Sequence, residues 1–185
     1  MALQECPSDV AGGSGYTVRM ITVLVRVTHG PEALAATLST LVPAVAEGLV
    51  GDAVILSDRQ DDTLAMVADA AGAALVVAKG ASWTEGAKAA RRDWLLCLDD
   101  GDIPQEGWIR ALDRFVSLAG PQQSMARLRR RAGLLQAGLE VIGRFFGPAS
   151  IRPGDLVHRR ALMPHGKARA PVRLAATIER DPVFH

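Results

Sequence analysis

Three carboxylates, Asp99, Asp100 and Asp102, crowd into the stretch WLLCLDDGDIPQEGW at residues 94–108. An apolar run, Trp94 to Leu98, leads into them, and Pro104 and the pair Gly107-Trp108 follow. A buried strand that delivers carboxylates at its C-terminal end is how an α/β protein builds a metal or ligand site, because crevices in such sheets lie outside the strand ends. Carboxylate oxygens suit Mg²⁺ or Mn²⁺, which usually keep waters and take phosphate oxygens as further ligands. The residue types therefore point to a divalent cation and a diphosphate-bearing substrate. A solvated acidic loop after a strand is the plain alternative, and this stretch alone leaves it open.

A sheet must position these acids. Met20 to Val27 (MITVLVRV) is β-branched and nearly all apolar, which reads as a buried strand. Thr28 to Pro31 is turn chemistry, with Pro31 suited to a first helical turn. Leu34, Leu38, Leu41 and Val45 then recur at helical spacing, and Pro43 is placed to kink or end that helix. Ala53–Leu56 and Ala74–Ala78 read as further strands. Between them lies a helix carrying Leu64, Val67, Ala68 and Ala71, capped by Asp61 or Asp62 and closed at Gly72. A short helix near Trp83–Arg92 precedes the strand Trp94–Leu98. Short apolar strands alternating with helices predict a mostly parallel sheet with helices on both faces, a three-layer α/β/α arrangement. There is no G-x-G-x-x-G after the first strand and no G-x-x-x-x-G-K-[ST], so neither a dinucleotide fingerprint nor a Walker loop is supported.

Beyond Gly107 the texture changes. Trp108–Leu118 reads as a helix with Ile109, Leu112, Phe115 and Val116 inward, broken at Gly120-Pro121. Residues 124–146 read as a basic amphipathic helix, with Leu128, Leu135, Leu139, Ile142 and Phe146 on one stripe. Such a helix can lie on an anionic membrane surface, or can be an ordinary surface helix with its stripe in the core. Asp155–His158 reads as a short strand and Val172–Glu179 as a short helix. Residues 1–113 carry 16 acidic and 8 basic side chains, whereas 114–185 carry 4 and 13. That asymmetry suggests a phosphate-bearing or acidic partner for the basic part, or mutual neutralisation of the two halves.

At 185 residues the chain predicts one domain with a sizeable core, over residues 19–185, after a flexible tail over 1–18. Neither a secretory signal nor a run of the ~20 apolar residues needed to span a bilayer is evident. Cys6 and Cys97 make no disulfide framework and fit a reducing compartment. The expected location is cytoplasmic, with peripheral contact at the inner face of a membrane through residues 124–146. Nucleic acid is not an expected partner, since the arginines lack aromatic interleaving.

Over roughly residues 20–118 the chain resembles the nucleotide-diphospho-sugar transferase fold (GT-A), in particular family 2 glycosyltransferases. Three pieces carry the resemblance by their order and spacing. ITVLVRVTHGPEAL looks like the opening strand and nucleotide loop. AVILSDRQDDTLAMVADAAGA looks like the second strand, its acidic end and the following helix. GASWTEGAKAARRDWLLCLDDGDIPQEGW looks like the approach to the metal-binding D-x-D and its sequel. The resemblance implies that Thr28 and His29 lie against the nucleotide base, and that Asp58, or Ser57, meets the uracil or ribose. Asp99 would stand at the family's first acid. Asp100 and Asp102 would hold Mg²⁺ or Mn²⁺ bridging the phosphates of a nucleotide-diphosphate sugar. The implied activity is inverting transfer of the sugar to an acceptor, such as a cell-envelope polysaccharide or glycolipid precursor. Residues 19–118 would be the nucleotide-sugar core, and 119–185 a basic, shortened acceptor side.

The chain departs from that pattern in three places. Arg26, Val27 and His29 stand where the family places a strand-closing proline and a loop asparagine. Ser57 precedes Asp58 where paired acids are usual. No acid follows at Ala170–Arg173, where the family's catalytic base would be expected, which leaves Asp155 as the candidate. His158 or His165 would add a metal ligand or phosphate contact, and Lys88, Arg91 and Arg92 are placed to reach a diphosphate. These departures equally fit a catalytically inactive relative acting as a scaffold or regulatory subunit.

Overall fold

The computed structural model describes residues 20–120, 123–131, 151–163 and 170–184. Its first half is strands alternating with helices: β1 (Ile21–Arg26), α1 (Pro31–Ala46), β2 (Val50–Ser57), α2 (Asp62–Ala70), β3 (Ala74–Val77), α3 (Trp83–Ala89) and β4 (Trp94–Asp99). There follow β5 (Asp102–Pro104), α4 (Trp108–Leu118), β6 (Met125–Arg130), β7 (Asp155–His158) and β8 (Val172–Arg180). All eight strands join one sheet in the order β3-β2-β1-β4-β7-β6-β8-β5. The run β3-β2-β1-β4 is parallel throughout, and β6 and β8 are also parallel. The pairings β4-β7, β7-β6 and β8-β5 are antiparallel.

Period-two alternation in the central strands divides the core. Ile21, Val23 and Val25 of β1 face α1, α2 and α4, where Leu34, Leu41, Leu64, Leu112 and Phe115 meet them. Leu24, with Leu95 and Cys97 of β4, faces α3 through Trp83 and Ala87. Both faces of the sheet are therefore covered, as the apolar strands predict.

One topological fact shapes the site. Only Asp100 and Gly101 separate β4 from β5 along the chain, yet β7, β6 and β8 lie between those strands in the ladder. The sheet must curl until its far edge returns to the end of β4. Gly101, at φ +80°, makes the turn, and a Cβ there would meet Phe184 at 3.3 Å. The curl brings the C-terminal ends of β6 and β8 against the acidic turn.

Local signals explain several boundaries. Asp61 caps α2 by accepting from the backbone N–H groups of Thr63 and Leu64 at 2.8 and 3.1 Å. Pro43 does not end α1, which continues three residues further to Ala46. Two expectations are corrected. Met125–Arg130 is not the start of a helix over 124–146 but a strand, bonded to β7 on one side and β8 on the other. Ladder partners on both sides outweigh a helical spacing read from one sequence window. The rest of that window, 132–146, lies outside the described residues, as do the tail at 1–18 and His165. Val172–Arg180 is a strand, not a short helix, and its buried residues Leu174, Ala176 and Ile178 alternate. No helix among the described residues is long and apolar enough to cross a membrane.

Candidate functional site

The acidic turn sits where β1 and β4 end side by side, with Arg26 directly opposite Asp99. Beside it the loop Thr28-His29-Gly30 leads into α1. Asp100 binds that loop. Its Oδ2 accepts from the backbone N–H groups of Thr28, His29 and Gly30 at 2.9, 2.6 and 2.9 Å. Its Oδ1 accepts from the Thr28 hydroxyl at 2.7 Å and faces His29 Nδ1 at 2.9 Å. The side chain is fully buried. Burial alone would raise its pKa, but the hydrogen bonds from His29 and Thr28 outweigh it and hold the carboxyl below its ordinary value. A carboxylate only accepts, so His29 Nδ1 carries the proton and Nε2 is left as an acceptor. Arg180 Nη1 lies 3.1 Å from that Nε2 and fills it.

Asp99 and Asp102 face the other way, toward arginines. Arg26 donates to Asp99 Oδ1 through Nε at 2.9 Å, while its guanidinium lies 4.9 Å from the Trp83 ring centre. Asp102 Oδ2 accepts from Arg130 Nη2 and from the Asp99 backbone N–H, both at 2.9 Å. The two remaining oxygens, Asp99 Oδ2 and Asp102 Oδ1, each lie 3.5 Å from one atom, Arg180 Nη2. β8 places this guanidinium, since Arg180 pairs with Asp102 in the β5-β8 ladder. Burial raises the Asp102 pKa, and the positive charge of Arg130 opposes that rise.

This geometry redistributes the expected metal ligands. Asp100 offers no free oxygen, because its donors occupy both; it is a staple for the Thr28–Gly30 loop rather than a ligand as placed. Asp99 Oδ2 and Asp102 Oδ1 converge on one point and are hard oxygen donors of the kind Mg²⁺ or Mn²⁺ takes with water and phosphate. They fit such an ion only as a pair: no group of three or more His, Cys, Asp or Glu able to hold a metal occurs among the described residues.

Other expected residues scatter. Thr28 and His29 lie against the acidic turn, and Asp58 is exposed just beyond the end of β2. Asp155 is not placed as a base: it is fully buried and clamped by Arg127 through Nε at 2.5 Å and Nη2 at 2.8 Å. It also accepts from the Arg152 backbone N–H at 2.8 Å. His158 pairs with Trp94 at the opposite end of β4, roughly 16 Å of strand from Asp99, too far for a metal ligand or phosphate contact there. The Arg92 backbone N–H bonds Thr22 at that same far end, and its side chain faces Asp52. Lys88 pairs with Glu85. Trp83, Trp94 and Trp108 belong to the core.

Sequence reasoning missed the roles of Arg26, Arg130 and Arg180. Arg26 carried a signal, a charge closing an apolar strand. Arg130 and Arg180 reach the turn only through the β6-β8-β5 ladder.

No protein-family model matches the chain, and no curated protein matches it. Solved structures do. Glucosyl-3-phosphoglycerate synthase from Mycobacterium tuberculosis, in complex with Mn²⁺, UDP and phosphoglyceric acid, matches at a TM-score of 0.54 and 21% identity, over 76% of this chain and 56% of that one. The same enzyme with Mn²⁺, UDP and glucosyl-3-phosphoglycerate matches at 0.56 and 20%, over 85% and 63%. A further mycobacterial protein matches at 0.53 and 21%, over 76% and 53%. The fold is that of the GT-A glycosyltransferases. The chain spans little more than half the length of these structures.

Proposed function

We propose that this protein binds a nucleotide-diphosphate sugar, with a divalent cation, at the crevice between the Thr28–Gly30 loop and the Asp99–Asp102 turn. On this reading it transfers the sugar to an acceptor, with inversion. The observation that carries the reading is the convergence of Asp99 Oδ2 and Asp102 Oδ1 at the carboxyl ends of β1 and β4, where open α/β sheets bind ligands. The matched enzymes, solved with Mn²⁺ or Mg²⁺ and UDP, support it by analogy of fold.

Each group then has a task. Asp100 fixes the loop so that Thr28 and His29 stand against the nucleotide, with Asp58 at its rim. Asp99 and Asp102 would hold Mg²⁺ or Mn²⁺, which when bound neutralises charge on the diphosphate leaving group. Arg26 and Arg180 line the same crevice and present guanidinium donors suited to phosphate oxygens.

A second reading has its own observation. Asp155, the candidate base, is buried and held by Arg127, so that carboxylate is not free to activate an acceptor hydroxyl. A nucleotide-binding relative without turnover, acting as a scaffold or regulatory subunit, fits that arrangement.

Calorimetric titration with UDP and with GDP, each with Mn²⁺, Mg²⁺ or EDTA, tests both. Metal-dependent binding that disappears in Asp102→Ala supports the sugar-nucleotide site. Binding without hydrolysis or transfer from any donor supports the second reading. No nucleotide binding under any condition defeats both.

A further inference from the structure

Three arginines meet two aspartates, Asp99 and Asp102, at the acidic turn, and they are not equivalent. Arg26 and Arg130 contact single carboxylate oxygens at 2.9 Å. Arg180 sits at 3.5 Å from two oxygens of different residues, the two that those arginines leave open. Its Nη2 therefore stands at the focus of the Asp99–Asp102 pair. A divalent ion bound by both oxygens would lie about 2.0–2.6 Å from each. On the Arg180 side of the pair, such an ion would come too close to the guanidinium nitrogen for both to occupy the site. We propose that Arg180 is the resident cation of the Asp99–Asp102 pair, and that a divalent ion enters only as Arg180 leaves.

Charge favours exchange over addition. Asp99, Asp100 and Asp102 balance Arg26, Arg130 and Arg180, so a divalent ion added to the intact cluster would enter with no surplus negative charge to receive it. Departure of Arg180 releases one carboxylate equivalent at the focus. The acids hold Arg180 less closely than the other two arginines. Its contacts to the acids are the longest, and it lies at the last position of β8, so its side chain can swing without breaking the ladder. On its other side it holds His29 Nε2 at 3.1 Å, and His29 belongs to the loop assigned to the nucleotide. A swing away from the acids would keep the guanidinium in the crevice and turn it toward phosphate. This inference rests on the nucleotide-diphosphate reading for its purpose, but not for its test.

The test uses the full chain and Mn²⁺ alone, without nucleotide, with free Mn²⁺ followed by electron paramagnetic resonance. Arg180→Gln removes the charge; Arg180→Met also keeps the aliphatic stem, should the first variant fold poorly. Folded variants, checked by thermal melts, should bind Mn²⁺ about tenfold more tightly than the wild type. Adding Asp102→Asn should abolish the gain. Affinity unchanged or weakened in the folded variants overturns the proposal, and so does a gain that survives Asp102→Asn. Binding undetectable in every protein counts as unchanged. Parallel titrations with UDP separate the two ideas. A gain in Mn²⁺ affinity without UDP binding retains the Arg180 exchange and rejects the nucleotide site. UDP binding with Mn²⁺ affinity unmoved does the reverse.

Discussion

Asp100 and Asp102 lie two residues apart, both fully buried, and the molecule accommodates their charges in opposite ways. Asp100 turns toward the first half of the chain and is satisfied by Thr28, His29 and Gly30. Three of its donors are backbone N–H groups that cannot move without unwinding the entry to α1. Asp102 accepts one backbone N–H, from Asp99, but otherwise turns toward the second half and is satisfied by Arg130 and Arg180, long side chains from β6 and β8. The pKa of Asp100 is lowered by its hydrogen bonds against the effect of burial, while burial keeps that of Asp102 raised despite Arg130. The lesson concerns mobility. Backbone donors make a permanent joint, whereas arginines make a charge balance in which a partner can be exchanged. The turn thus has a rigid side that shapes the loop and an adjustable side held mostly by arginine side chains, which can be displaced.

The largest expected effect breaks the rigid side. Asp100→Ala leaves the loop's donors without their shared acceptor and should cost about 3 kcal/mol or more in chemical denaturation. Hydrogen exchange at His29 and Gly30 should rise with it. A loss within about 0.5 kcal/mol would show that the loop does not depend on Asp100. Next comes a pair of arginines in β6 and just after it. Arg127→Ala strands the buried Asp155 carboxylate and should cost about 3 kcal/mol. Arg131→Ala removes an exposed contact with Glu179 and should change stability by less than about 0.5 kcal/mol. Equal losses would mean that the arginines act through packing rather than through the burial of their partners.

A smaller effect sharpens the adjustable side. A double-mutant cycle of Asp102→Asn with Arg130→Gln should give a coupling of about 1 kcal/mol, well below the Asp100 effect. Arg130 is about one-third exposed, and solvent screens its charge. A coupling as large as the loss in Asp100→Ala would show that this side is as rigid as the other.

Part of this arrangement is visible in the amino-acid sequence. The parallel strands were legible because β1, β4 and the Ala53–Leu56 part of β2 are mostly apolar runs with turn residues between them. The acidic turn was legible as a cluster at a strand end. Its division into staple and ligand pair was not, since it depends on which way each carboxylate points, and Gly101 reverses that direction within one residue. β6 was hidden by its own arginines: Arg127 and Arg130 look like a solvated helix face until Asp155 and Asp102 are known to lie across from them. In β8 the alternation of Leu174, Ala176 and Ile178 was a usable strand signal, masked by the alanines and Glu179 at helical spacing. The opposite charges of the two halves meet directly in the bonds of Arg130 and Arg180 to Asp102, so mutual neutralisation accounts for part of the asymmetry.

The far end of the sheet supplies the control, with the smallest expected effect. His158 packs edge-on against Trp94, their ring centres 5.1 Å apart, and its Nδ1 accepts from the Arg160 backbone N–H. Burial first, and the charge of Arg160 next, lower its pKa below the ordinary value of 6.5. The unfolded chain then binds a proton more readily than the folded one. The stability this group contributes is complete above its unfolded pKa and is lost as pH falls through the folded value. Denaturation midpoints should therefore fall as pH drops from neutral into the mildly acidic range, and His158→Gln should flatten that part of the slope. The site lies at the other end of β4, so Mn²⁺ or UDP affinity measured across the same pH range should be identical in His158→Gln and wild type. A shift in ligand affinity with this substitution would mean that the two ends of the sheet are coupled, and the comparison between a rigid and an adjustable side would have to extend along the whole strand.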